Sequence, residues 1–335
     1  MKTTDFARCL SSFLGTYLPG VRNVSINTLR SYRDTFRLLL IFCLQEFNVS
    51  PQKVTLDFLT DKTILLFLDW LERVRSNSIA TRNQRLAAIH ALFRYVQFEE
   101  PPLLLQCQKI LGIPFKKYAK PRIQHLSPEA VKLLLSQPLT TSSRGRRDLA
   151  LVSLLYDTGA RVQEIVDLRV RDIRLDQPPV IALSGKGRKT RHVPLMTNTK
   201  NLLATYMNES QRLSSQGDIP LFVNQQGKRM TRAGIAYILG KYSKQAHEQS
   251  EIVPLRVTPH VLRHTKAMHL YQAGVNIVYI RDLLGHVDIS STDIYARADT
   301  EMKRKAVEKV YPDITESDLP EWRHDNDLLA WLNHL

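Results

Sequence analysis

A chain of 335 residues, 43% hydrophobic and 24% charged, has globular composition and room for two domains with separate cores, which excludes a disordered or fibrous protein. Its net charge of +15 is spread along the chain: residues 1–118 hold 16 basic against 9 acidic side chains, residues 119–313 hold 30 against 18, and only residues 314–335, with 1 against 5, are acidic. That balance fits a long polyanion gripped by two domains, while three isolated cysteines (Cys9, Cys43, Cys107) match no metal-ligand spacing and no stretch approaches the roughly 20 apolar residues of a membrane span, so a soluble protein of the reducing cytoplasm is expected.

Residues 1–115 read as helices throughout. The N-terminus has no apolar stretch of signal-peptide length and carries Asp5 and Arg8. Phe6, Leu10, Phe13, Leu14 and Tyr17 recur at three- and four-residue steps and predict a helix over 3–18, interrupted by Gly15. Ser25 caps a long helix over 26–47, with Leu29, Tyr32, Phe36, Leu39, Leu40 and Cys43 on its apolar stripe. Thr60-Asp61 opens a third, with Ile64, Phe67, Leu68 and Leu71 on one face. A fourth, over 78–97, is apolar at Ile79, Leu86, Ile89, Phe93 and Val96, and Arg82, Asn83, Gln84 and Arg85 read as its outer face. A short apolar helix over 103–111 follows.

Residues 116–125 are basic, broken by Pro121 and without apolar period, which predicts an interdomain linker. Its Lys116, Lys117 and Lys120 either follow a phosphate backbone or belong to a solvated hinge. Ser127 and Pro128 form a helix start. Residues 126–335 mix element types. Helices over 148–156 and 162–168 are separated by Thr158-Gly159-Ala160, and strands over 180–183 and 192–195 flank a glycine-containing turn that carries Lys186, Arg188, Lys189 and Arg191. Helices resume near 200, 231 and 259 and run to the end. The expected fold is therefore mainly α with a small β-hairpin or sheet: an all-helical domain over 1–115, the linker, and a mixed α+β domain over 126–335.

Four stretches carry residues of chemical interest. His260 and Arg263 share a face near a helix start made by Thr258 and Pro259, where backbone N–H groups favour an anion. Gly285 ends a helix and fixes His286 at a turn, with Tyr295 nine residues later. Arg161 follows a glycine turn, with Glu164 placed to pair with it or to cap the next helix. Lys186 sits in the cationic hairpin turn. Taken singly, each has an ordinary reading: a solvated face, a packing tyrosine, a local ion pair, a solvated hairpin tip.

Taken together, Thr-Gly-Ala-Arg-Val-Gln-Glu-Ile, Gly-Lys-Gly-Arg-Lys-Thr-Arg-His-Val-Pro-Leu, His-Val-Leu-Arg-His and Leu-Gly-His with Tyr295 at plus nine resemble the signature of the tyrosine recombinase (phage integrase) family in residue type, order and spacing. Ala160 departs from the larger apolar residue frequent in the family, and His264 after Arg263 reads as structural. The resemblance extends to the helical domain, which is similar to the family's core-binding domain. With few residues before the first long helix, no arm-binding domain is expected, which places the chain nearer Xer-like and transposon-borne recombinases than lambda-type integrases.

What the resemblance implies is a DNA recombinase that forms a 3′-phosphotyrosine and exchanges strands between two sites through a Holliday junction. Arg161 and Arg263 would clamp the scissile phosphate, His286 would donate a further hydrogen bond, Tyr295 would attack with His260 taking its proton, and Lys186 would protonate the leaving 5′-oxygen. The covalent link conserves the phosphodiester energy. No cofactor or metal is expected, and the sequence has neither a phosphate-binding Gly loop nor an acidic cluster suited to two metal ions. Double-stranded DNA at a specific site is the implied partner, held by a homotetramer on two sites, with room for an accessory protein or second recombinase and no membrane. Arg82, Arg85, Lys116, Lys117, Lys120, Arg188 and Lys189 are the candidate DNA contacts. An apolar-rich helix over 325–335 either docks on a neighbouring protomer or packs on its own domain. A type IB topoisomerase-like relaxing enzyme and a non-catalytic DNA-binding protein on the same fold are the alternatives.

Overall fold

The computed structural model describes residues 3–119, 124–185, 189–210 and 218–285, together with Thr292 and Tyr295. The chain divides into two compact units, Met1–Pro121 and Arg122–Leu335.

The first unit is built from α1 (Asp5–Ser12), α2 (Ile26–Phe47), α3 (Asp61–Arg73), α4 (Ile79–Glu99) and α5 (Leu104–Leu111). Local chemistry sets the helix starts: Thr4, Ser25, Thr60 and Ser78 each accept a hydrogen bond from the backbone N–H three residues on. Gly15 does not break the first helix. It widens instead into a π-helical stretch, Phe13–Val21, which contains Pro19, a residue with no N–H for the α ladder. The core joins Phe6 and Phe13 to Phe36, Leu39 and Phe42 of α2, Phe67 and Leu71 of α3, and Leu86, Ile89 and Phe93 of α4. Each such buried side chain contributes roughly 1.5–3 kcal/mol.

Arg82 corrects the expected outer face of α4. It is 4% exposed, its Nε lies 3.6 Å from Glu72 Oε1, and its Nη1 donates to the Pro114 carbonyl at 3.3 Å. The reason is helical phase: Arg82 precedes Leu86 by four residues and Ile89 by seven, so it lies on the apolar stripe. Arg85 is half-buried and donates to the Ser31 carbonyl and Thr35 Oγ1 of α2.

The second unit comprises α6 (Pro128–Leu135), α7 (Ser143–Thr158), α8 (Val162–Asp167), a three-stranded antiparallel sheet, and α9 (Thr197–Glu209), α10 (Arg232–Gln249), α11 (Pro259–Gln272) and α12 (Ile277–Leu284). The sheet runs β1 (Ile173–Arg174), β2 (Val180–Ser184), β3 (Thr190–Pro194) in spatial order. β1 was not anticipated, because two residues are too few for an alternating pattern. Register pairs Ile181 with Val193 and Leu183 with Arg191, so Arg191 takes an inner-face position in line with buried Val193. The core gathers Leu151, Leu154 and Leu155 of α7, Ile181 and Leu183 of β2, Leu239 of α10 and Leu262 of α11. Ser127, Thr231 and Thr258 cap α6, α10 and α11, and Gly285 ends α12 in the left-handed conformation at φ 64°. No helix among the described residues is long and apolar enough to cross a membrane. The expected terminal helix over 325–335 lies outside the described residues.

Candidate active site

Two helix C-termini and one carboxylate organise three arginines. α7 stops at Gly159, whose φ of 56° suits glycine and whose Cβ position lies 2.7 Å from Leu284 Cδ2, leaving no room for a side chain. The free Gly159 carbonyl accepts a hydrogen bond from Arg263 Nη1 at 2.6 Å. At the end of α12 three successive carbonyls each meet a different guanidinium. Leu283 O accepts from Arg191 Nε at 2.7 Å, Leu284 O from Arg263 Nη2 at 2.7 Å, and Gly285 O from Arg161 Nη2 at 3.1 Å. The last carbonyls of a helix lack intrahelical partners and carry its negative end, so cations collect there.

Glu164 completes the cluster, 4% exposed. Its Oε1 accepts from Arg161 Nη1 at 3.0 Å and Arg191 Nη1 at 2.8 Å; its Oε2 accepts from Arg191 Nη2 and from the Arg161 backbone N–H, both at 2.8 Å. The carboxylate thus caps α8 and pairs with Arg161, the two roles open in the sequence. Burial alone would raise its pKa, but the hydrogen bonds and charges of Arg191 and Arg161 hold it below the usual carboxylate range. Arg263 is 4% exposed, and burial, reinforced by the nearby Arg161 charge, pulls its pKa down to about 10, so it stays charged at neutral pH. Three guanidiniums against one carboxylate leave the cluster with excess positive charge, the electrostatics an anion requires.

Tyr295 is 1% exposed and packs on Ala267 and Met268 of α11 and Ile280 and Leu284 of α12. Its hydroxyl is 2.9 Å from His264 Nδ1, with the ring centroids 5.7 Å apart. Burial raises the phenol pKa, partly offset by the charge of Arg263. Burial lowers that of His264, helped by His260 and Arg263, so an un-ionised phenol faces a neutral imidazole. The structure therefore gives Tyr295 a partner that sequence reading had taken as structural. His260, the expected acceptor, lies one turn earlier on α11 and is exposed.

Arg161, Arg263 and Tyr295 are accordingly brought to one region, with His260 on the first turn of the same helix as Arg263. Lys186, Arg188, His286 and Lys120 lie outside the described residues, but the residues preceding two of them are placed. Gly185 sits at the hairpin base, its Cβ position 3.0 Å from Glu164 Oε1, and Gly285, just before His286, touches Arg191 and Arg161. Lys116 Nζ pairs with Glu72 at 2.7 Å, and Lys117 and Lys189 are exposed. Sequence reading missed Arg191 as a member of the cluster, although its inward place in the strand alternation was available.

Residues 124–302 match the phage integrase family model, and residues 12–100 match that family's N-terminal SAM-like domain. The chain belongs to the phage integrase family. The resemblance read from the motifs is borne out, as is the mainly helical fold with a small sheet. Integrase-family relatives include a protein of Sinorhizobium fredii assigned to the integrase/recombinases (y4rC), 37% identical over 100% of this chain and 99% of that one. Tyrosine recombinase XerC of Herpetosiphon aurantiacus is 33% identical over 85% and 89%. The same fold appears in XerH site-specific recombinase bound to difH substrate in a post-cleavage complex (22% identical, 90% and 87% covered, TM-score 0.66). It appears also in the Tn1549 transposon integrase with transposon right-end DNA (19% identical, 90% and 98% covered, TM-score 0.69).

Proposed function

We propose that this integrase-family chain cuts and rejoins DNA at a specific site through Tyr295. One observation carries the reading: Arg161 and Arg263, far apart in the chain, both donate to the carbonyls that end α12, beside Tyr295, the tyrosine of the family motif.

The chemistry follows from the groups. A phosphodiester repels nucleophiles until its non-bridging oxygens are neutralised, and two guanidiniums supply fixed positive donors there. The Tyr295 oxygen bonds to phosphorus, the bond from phosphorus to the 5′-oxygen breaks, and the phenolic proton passes to a histidine. His264 holds that proton's position in the resting arrangement; His260 is the acceptor once DNA is engaged. Lys186 gives its proton to the departing 5′-oxygen, and His286 donates to a non-bridging oxygen. The product is a 3′-phosphotyrosine and a 5′-hydroxyl, and attack by a different 5′-hydroxyl reverses the step on a new partner. Strand exchange between two sites within a tetramer, through a Holliday junction, is part of the proposal. Lys117 and Lys189 serve as exposed phosphate contacts. Because Tyr295 is buried, DNA engagement must draw it from its packed position towards the arginines.

On a nicked suicide substrate, Tyr295→Phe is expected to abolish covalent protein–DNA adducts while retaining DNA affinity within a few-fold. Adducts formed by the Phe variant would overturn the assignment.

A further inference from the structure

Arg191 occupies an unusual place for a cation. It stands on the inner face of β3 opposite Leu183, in line with Val193, with 13% of its side chain exposed. Its guanidinium makes two parallel bonds to Glu164, both at 2.8 Å, and turns its Nε to the Leu283 carbonyl at 2.7 Å. Gly285 passes so close that its Cβ position would lie 2.9 Å from Arg191 Nη1. One side chain therefore fastens the strand that leaves the hairpin to α8 through Glu164 and to α12 through a backbone oxygen. The hairpin itself is closed just beyond: the Gly185 N–H donates to the Lys189 carbonyl at 2.9 Å, and Lys186 follows Gly185 directly.

We propose that Arg191 is a positioning residue for the leaving-group step, registering the β2–β3 hairpin on the arginine cluster so that Lys186 meets the departing 5′-oxygen. This rests on the reading of Lys186 as the acid. A guanidinium suits the task because its planar fork fixes direction as well as distance to a carboxylate, which an ammonium does not. An error of about 1 Å in such placement is enough for roughly 100-fold in rate.

The test compares adduct formation on two nicked substrates, one ordinary and one with sulfur in place of the bridging 5′-oxygen at the scissile phosphate. A thiol has a pKa near 8.5, so the sulfur leaves without a proton and the acid becomes dispensable. Lys186→Ala is expected to be slow on oxygen and restored on sulfur. Arg191→Ala should show the same pattern, about 100-fold slower on oxygen and within a few-fold of wild type on sulfur. The double variant should be no slower on oxygen than Lys186→Ala alone. Arg191→Lys, which keeps the charge beside Glu164, guards against misfolding of the alanine variant and should show a smaller loss with the same sulfur recovery. If Lys186→Ala recovers on sulfur while both Arg191 variants stay slow, Arg191 does not act through the acid and the proposal falls. If Lys186→Ala itself fails to recover, the reading of Lys186 falls first and takes the proposal with it.

Discussion

Glu164 shows how a single acidic side chain governs a positive site. Its carboxylate lies between Arg161 and Arg191 and is almost fully buried, so removing its charge leaves like charges facing each other at short range. Glu164→Gln is expected to lower unfolding free energy by about 3 kcal/mol at pH 7, read by urea denaturation. The pH dependence has a definite sign. A carboxyl whose folded pKa is depressed contributes its full stability above the unfolded value, near 4.3, and loses it as pH falls through the lower folded value. The gap between wild type and Glu164→Gln should therefore be constant from pH 7 to about 5 and should close below about 4. A gap unchanged at low pH would mean that the carboxylate is not stabilised by its arginines.

Helix ends do the positioning at the next scale. α7 and α12 stop where glycines adopt positive φ, and their terminal carbonyls hold Arg161, Arg263 and Arg191. Gly159→Ala is expected to cost about 1–2 kcal/mol from left-handed strain, with a further penalty against Leu284. In that background Leu284→Ala should cost less than it does in wild type, because the clash disappears with the side chain; denaturation of the four variants measures this coupling. The same scale shows what the sequence made legible. Caps or starts at Ser25, Thr60, Ser127, Thr258 and Gly285 were readable because a cap is decided within four residues. Arg161 and Glu164 were readable as a local pair for the same reason. The contact of Tyr295 with His264 was not, since it spans 31 residues and depends on how α11 and α12 pack. Arg82 was misread because residue type was weighed above phase: a charged side chain on an apolar stripe points inward and must find a carboxylate, as it does in Glu72. The two residues of β1 gave no alternation to read, and the steps at Phe13, Leu14 and Tyr17 are those of an ordinary α-helix, so nothing in them marks the widening through Pro19.

Across the whole molecule, a charge of +15 carried by both units makes DNA affinity strongly dependent on salt. Exposed and buried cations should then separate in one experiment. Lys117→Ala and Lys189→Ala are each expected to flatten the slope of log K against log salt by about 1, the signature of one lost phosphate contact. Arg82→Ala should leave that slope unchanged and instead destabilise the first unit by about 2 kcal/mol, read by thermal or urea unfolding. An Arg82 variant with a flatter slope and normal stability would place that side chain on DNA after all.

The engagement of three arginines by consecutive backbone oxygens of α12 has a consequence for inheritance. Main-chain atoms survive every amino-acid exchange, so the side chains of residues 283 and 284 can drift under packing constraints alone without losing these bonds. A single inserted or deleted codon within the helix is different: each residue advances the spiral by about 100°, so all three oxygens would be misdirected together. Length, more than letter, is what this stretch of the gene must conserve.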